Sequence, residues 1–173
     1  MQRINIQIEI KHDPDAECPF DPCEERLVVF HPRYRGTHSF ASPEEARRWA
    51  RKEGWKVFPV YAHIHGRIAL QASEEGNPFN DPWDSGFFGL LLLKRKYWGK
   101  KITLEQANRL LEDYTRWING DCWGYVVRVG EREESCWGFI GQDKVREAAK
   151  EAAQRLLEDT LEQALEQALE EAA

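Results

Sequence analysis

The chain has 173 residues, is 42% apolar and carries a formal net charge of −6. That length suits one domain of ordinary size with a core that needs no disulfide staple, and the composition excludes a disordered chain. No run approaches the ~18 apolar residues of a membrane span, so no membrane partner is expected.

The first segment, MQRINIQIEIKHD, alternates Ile4, Ile6, Ile8 and Ile10 with polar residues, the pattern of a half-buried strand and not of a secretion signal. HDPDAECPFDPCEE follows as loop, and RLVVFH (26–31) reads as a second strand. Ser42-Pro43-Glu44-Glu45 is a helix start, with Ser at the N-cap, Pro at N1 and Glu at N3. That helix should end near Glu53, before Gly54. Lys56 to His65 and Arg67 to Gln71 read as strands interrupted at Gly66. The stretch NPFNDPWDSGFFG (77–89) then leads into Leu90-Leu91-Leu92-Leu93, so a stiff turn sits at the mouth of a buried strand spanning Phe87 to Leu93.

Thr103 caps a further helix closed by Gly120, with Leu104, Ala107, Leu110, Leu111, Tyr114 and Ile118 on one face. Trp123 to Val129 and Glu133 to Ile140 form a hairpin turning near Gly130. Asp143 is expected to cap a last helix running to about Glu171, some 40 Å long. These elements predict an α+β fold: a single, mainly antiparallel sheet of five to seven strands packed by two helices, plus the long helix. The division expected is a domain over 1–141 and the helix over 142–173, packed on that domain or pairing with a second copy.

Charge is uneven. From Gln142 onward nine acids face four bases, which leaves the rest of the chain at −1. An acidic balance argues against a general nucleic-acid binder but leaves a local basic patch open. Such a patch is Lys94, Arg95, Lys96, Trp98, Lys100 and Lys101, where cations and aromatic rings could meet phosphates and bases. A solvated connecting loop is the plain alternative.

Three further groups carry chemistry. Asp81 and Asp84 sit in the proline-bound turn beside Trp83, as ligands or as caps of backbone amides. His63 and His65 share one side of their strand, so with either aspartate they could hold a divalent metal that activates water. The other reading is a pair of histidines on a polar sheet face. Cys18 and Cys23, with four residues between them in a proline-rich loop, stand at the edge of zinc-ligand spacing. Cys122 and Cys136 lie on the two arms of the hairpin, with facing set by a register the sequence does not give. All four are expected as reduced thiols in a cytoplasm. No cofactor and no metal is favoured; a divalent ion with His63 and His65 as candidate ligands stays open.

Pro59-Val60-Tyr61 before His65-Gly66, then Pro78-Phe79, Pro82-Trp83-Asp84-Ser85-Gly86, Gly120-Asp121 before Gly124-Tyr125, and Glu134-Ser135-Cys136-Trp137-Gly138-Phe139 occur in this order. This resembles a family of small uncharacterised proteins of bacteriophages, prophages and plasmids, which read PVY-x-YDHSG, PF-x-x-PWDSGQVGFIY, GD-x-YGY and ESCWGFYG. The likeness spans about residues 57–141. The chain departs from it at Ile64, where the family has Asp, and at Phe87-Phe88, where it has Gln-Val. The resemblance implies a mobile-element origin and supplies no catalytic residues. The expectation is an accessory protein that binds a host macromolecule, as in host takeover or anti-defence. The binding surface would be built from His65, Trp83, Asp84, Ser85, Asp121, Trp123, Cys136 and Trp137. Behind it stand a metal-dependent hydrolase or nuclease using His63, His65, Asp81 and Asp84, and a nucleic-acid or nucleotide binder using 94–101.

Overall fold

The computed structural model describes residues 4–36 and 38–172. Among them lie seven strands and four helices: β1 (Ile6–His12), β2 (Glu25–Val29), α1 (Pro43–Lys52), β3 (Trp55–His65), β4 (Arg67–Ala72), β5 (Ser85–Lys94), α2 (Arg95–Trp98), α3 (Leu104–Ile118), β6 (Cys122–Val129), β7 (Arg132–Ile140) and α4 (Gln142–Glu171). The α+β class stands, but the single sheet does not. The strands form two antiparallel sheets, ordered β1-β6-β7 and β2-β5-β3-β4. Period-two alternation tells which side of a strand faces a core. It does not tell which strand lies alongside.

The chain divides into two compact units. Met1–Glu17 with Gly120–Ala173 makes one, and Cys18–Asn119 makes the other.

In the 18–119 unit, α1 and α3 cover opposite faces of the four-stranded sheet. Ala46 and Ala50 of α1 pack with Val28, Trp55, Leu90 and Leu92. Ala107, Leu111 and Tyr114 of α3 pack with Leu27, Phe58, Leu91 and Leu93. Both faces of β5 are therefore inside, which is why Leu90 to Leu93 form an unbroken apolar run instead of an alternation. Gly89 pairs with Val60 and Phe87 with Tyr61, so Phe88 is an extra residue on β5. That bulge lets Phe88 enter the same core as Leu91. Both helix starts obey local chemistry. Ser42 Oγ accepts from Glu45 N at 3.2 Å, and Thr103 forms a capping box with Gln106.

The free edge of β4 is closed by a side chain of α3 and by that of its C-cap residue, Asn119. Asn119 accepts from Ile68 N at 3.0 Å and donates to Ile68 O at 2.7 Å. Asn108 accepts from Ala72 N at 2.8 Å and donates to Ala72 O at 3.2 Å. Each carboxamide thus stands in for one peptide of a missing strand. Eleven residues make about three helical turns, so both asparagines fall on one face of α3.

In the other unit, the first half of α4 lies on the three-stranded sheet. Val145, Ala149, Ala152 and Ala153 are buried against Tyr125, Val127 and Val129. The small side chains allow close approach. The helix is capped by Gly141, not by Asp143 as the sequence suggests; Asp143 lies in the first turn. From Leu161 to Ala172 every residue is exposed, including Leu161, Leu165 and Leu169. No helix among the described residues is long and apolar enough to cross a membrane. Ile6 and Ile8 of edge strand β1 remain 46% and 45% exposed, so this strand is less covered than its alternation suggests.

Candidate functional site

The end of β3 and the turn before β5 carry the densest group of chemically active side chains in the 18–119 unit. His63 and Ser85 are register partners on adjacent strands, and Ile64 N donates to Asp84 O at 2.8 Å. The turn is thereby tied to the strand that carries the histidines. Within it, Asn77 Oδ1 accepts from Phe79 N at 3.1 Å. Asp81 Oδ1 accepts from Trp83 N at 3.0 Å and Asp84 N at 3.2 Å. Ser85 Oγ donates to Asp81 O and accepts from Asn77 Nδ2. The stiffness therefore comes from asparagine and aspartate side chains bonding to nearby backbone, in addition to the two prolines.

Each histidine meets one aspartate. His63 Nε2 lies 3.2 Å from Asp81 Oδ2, and His65 Nδ1 lies 2.8 Å from Asp84 Oδ2. The amides of Asp84 and Trp83, followed by His63, hold the Asp81 carboxyl below the usual carboxylate range. One ligand atom each from His63, Asp81 and Asp84 lies within 4.8 Å of the other two. Ligands around a tetrahedral ion at about 2.1 Å are separated by about 3.4 Å. A bound ion would have to draw the groups inward by about 1 Å and displace the His63–Asp81 contact. The donor set suits zinc or manganese in kind, with His65 able to support Asp84 from outside.

Trp83 stands out from this turn with 93% of its surface exposed. It rims a cavity of about 440 Å³ whose lining includes His31, Arg33, Ala62, Ile64, Asp84 and Gly86. A Cβ on Gly86 would meet nothing within 4 Å, so the floor is open at that residue. His31 stacks on Phe88 at 5.9 Å and forms one wall. Sequence reasoning missed His31 and Arg33. Both follow β2 directly, at the point where it stops pairing with β5, and that is the only signal they carried.

The remaining residues of the expected surface, Asp121, Trp123, Cys136 and Trp137, belong to the unit built from both chain ends. Trp123 Nε1 donates to Asp121 Oδ1 at 2.6 Å, and His12 packs edge-on against Trp123. A Cβ on Gly124 would fall 2.2 Å from the Trp137 ring, so that ring lies directly on the glycine backbone. Gly138 takes φ 85° and donates its amide to Asp13 Oδ2 at 2.9 Å. The Gly-Tyr and Cys-Trp-Gly motifs thus have a structural explanation: one holds the indole of the other. Cys122 is buried and Cys136 exposed, and Cys136 pairs in register with Tyr125. Cys18, Cys23, Cys122 and Cys136 are all free thiols.

In the basic stretch, the structure separates structural from free groups. It includes the short helix α2, where the sequence suggested only a loop. Lys94 reaches Glu53 O and lies over the Trp55 ring, and Trp98 Nε1 donates to the buried Glu25 at 3.1 Å. Burial pushes the Glu25 carboxyl up from its ordinary value. Arg95, Lys96, Lys100 and Lys101 are exposed.

Comparison with protein-family models, curated proteins and solved structures finds no match to this chain.

Proposed function

We propose that the chain is a binding protein that seats a macromolecular partner on the Trp83 turn. One observation carries this reading: an almost wholly exposed indole on a turn pinned by its own side chains, at the rim of a cavity. Covering 150–250 Å² of an aromatic side chain is worth roughly 4–6 kcal/mol before association costs. A rigid turn loses little freedom on binding, so more of that gain survives. Exposed tryptophans of this kind concentrate interface energy. The resemblance to proteins of mobile elements extends the proposal to a host protein as partner, in a host-takeover or anti-defence role. The four free thiols suit a reducing cytoplasm.

The test places a photo-crosslinking amino acid at position 87, whose side chain is 40% exposed and lines the same cavity, in otherwise wild-type and Trp83→Ala chains in host lysate. Proteins crosslinked by the first should lose at least ~30-fold in yield with the second, the factor set by a hot spot of about 2 kcal/mol. A crosslinked set indifferent to Trp83→Ala would refute the reading.

A second reading, a metal-dependent hydrolase, is favoured by the convergence of His63, Asp81 and Asp84. Mn²⁺ or Zn²⁺ should then raise the melting temperature of the wild type but not of Asp84→Asn. Absence of any shift with Mn²⁺, Zn²⁺ and Mg²⁺ sinks it.

A further inference from the structure

The strongest unassigned feature is a concentration of positive charge around one buried indole. Trp55, the first residue of β3, is 5% exposed, and its Nε1 has no hydrogen-bond partner. Arg26 and Lys94 lie over its ring at 4.8 and 4.9 Å. On the side where α1 crosses the start of β3, Arg47, Arg51, Lys56 and Arg95 line a groove of about 190 Å³ that reaches the same indole. Six cations therefore lie over this ring or line the groove that reaches it. Lys56 is paired with Glu74 at 3.1 Å, and Arg95 donates to Lys100 O at 3.2 Å. Arg47 and Arg51 have no ion pair among the described residues. They stand one helical turn apart, where like charges work against the helix. Within residues 18–119 there are 16 Lys and Arg against 13 Asp and Glu, while the whole chain is at −6. The positive balance of this unit is hidden by the acidic composition of the rest.

We propose that this groove binds the phosphates of a nucleic-acid backbone, with Arg47, Arg51 and Arg95 as the contacting residues and exposed Lys96, Lys100 and Lys101 continuing the track. Guanidinium groups grip phosphate oxygens in pairs. A shallow groove prolonged by further cations suits a chain of phosphates better than one small anion. Tyr97, 51% exposed within that track, offers a ring on which an unpaired base can stack. Single-stranded nucleic acid is therefore the favoured ligand. The groove lies at the first residue of β3 and the His63–His65 pair at its last residues, about 30 Å along an eleven-residue strand. The two sites can fail separately.

The experiment is fluorescence anisotropy of the full chain with a labelled 20-nucleotide single strand, repeated from 50 to 200 mM salt. Six released counterions, one for each named cation, at about 0.7 each predict that wild-type affinity falls about 340-fold across that range; the double variant Arg47→Glu/Arg51→Glu should fall only about 50-fold. At the lowest salt that variant should bind at least ~10-fold more weakly, and Arg47→Gln/Arg51→Gln should lie between. Lys150→Glu, on α4, should match the wild type. Melting temperatures measured in parallel confirm that each variant is folded. The proposal is overturned by no wild-type binding below 100 μM at 50 mM salt, by equal affinity in the Arg47/Arg51 variants, or by displacement by poly-glutamate as readily as by unlabelled strand. Displacement by millimolar inorganic phosphate alone would also overturn it, since that marks a small-anion site instead of a backbone track.

Discussion

Replacing Asn119 by Ala removes the carboxamide that serves both Ile68 N and Ile68 O. Water does not reach a half-buried strand edge freely, so a donor and an acceptor lose their partners together. Each intramolecular hydrogen bond nets about 1 kcal/mol, and stranding the partner adds to the loss. About 2 kcal/mol is expected for Asn119→Ala, and about the same for Asn108→Ala at Ala72. The bonded peptides are four residues apart and share no partner, so the double variant should lose about 4 kcal/mol, near the sum. For a chain of this size, 1 kcal/mol moves the melting temperature by about 2–4 °C, which puts each single variant about 4–8 °C below wild type. Asn119→Asp separates the two bonds. A carboxylate still accepts from Ile68 N but faces Ile68 O without a proton, so this variant should approach wild type below pH 4 and fall away as the acid ionises. Chemical denaturation of the wild type and the four variants at pH 3.5 and pH 7, with amide exchange at Ile68 and Ala72, measures all of this. A loss under 0.5 kcal/mol in both alanine variants, with exchange unchanged at the two amides, would refute the idea that the asparagines hold this edge.

Three more expectations concern the turn, the Trp137 seat and the buried acid. Asp81 is held below its ordinary range, so its support of the turn is complete above the unfolded value and lost as pH falls through the lower folded value; the amides of Trp83 and Asp84 should shift in NMR with a midpoint below 3.8, and Asp81→Asn should remove that transition. Gly124→Ala drives a methyl into the Trp137 ring and should destabilise by about 1–3 kcal/mol, with Trp137→Ala added to it restoring part of the loss. Glu25 has the opposite sign to Asp81: its raised pKa means its ionisation weakens the fold, so the stability of Glu25→Gln relative to wild type should rise between about pH 4 and pH 7, read from urea midpoints across that range.

Local chemistry was legible in the sequence, and long-range pairing was not. Ser42 and Thr103 announced their helices because a cap needs only residues within three positions. Alternation in β1, and apolar stretches bounded by turn residues elsewhere, located the seven described strands to within about two residues. Sheet membership escaped because β1 pairs with β6 more than a hundred residues later, and nothing in either strand encodes the other. The closeness of His63 and His65 to Asp81 and Asp84 rests on two things: same-side positions on one strand, which the sequence shows, and the pairing of β5 with β3 on the side away from β4, which it does not. The arginine groove was missed because charge was read as runs. Arg47 and Arg51 gather with Arg95 only once α1 crosses the sheet. An unbalanced arginine pair at helical spacing, with no acid one turn later, was the available signal.

The order in which the two units can be completed is set by where their pieces lie in the chain. Residues 18–119 are contiguous, so that unit has all its strands as soon as they leave the ribosome. Strand β1 is made first, yet its partner β6 begins 110 residues after β1 ends. At 5–20 residues per second, the isoleucine-rich strand waits about 5–20 s with no ladder to join. During that interval Glu9 and Lys11 of the strand help to keep it from pairing with a stranger. Collapse of the intervening residues 18–119 then shortens the tether that must close between β1 and β6.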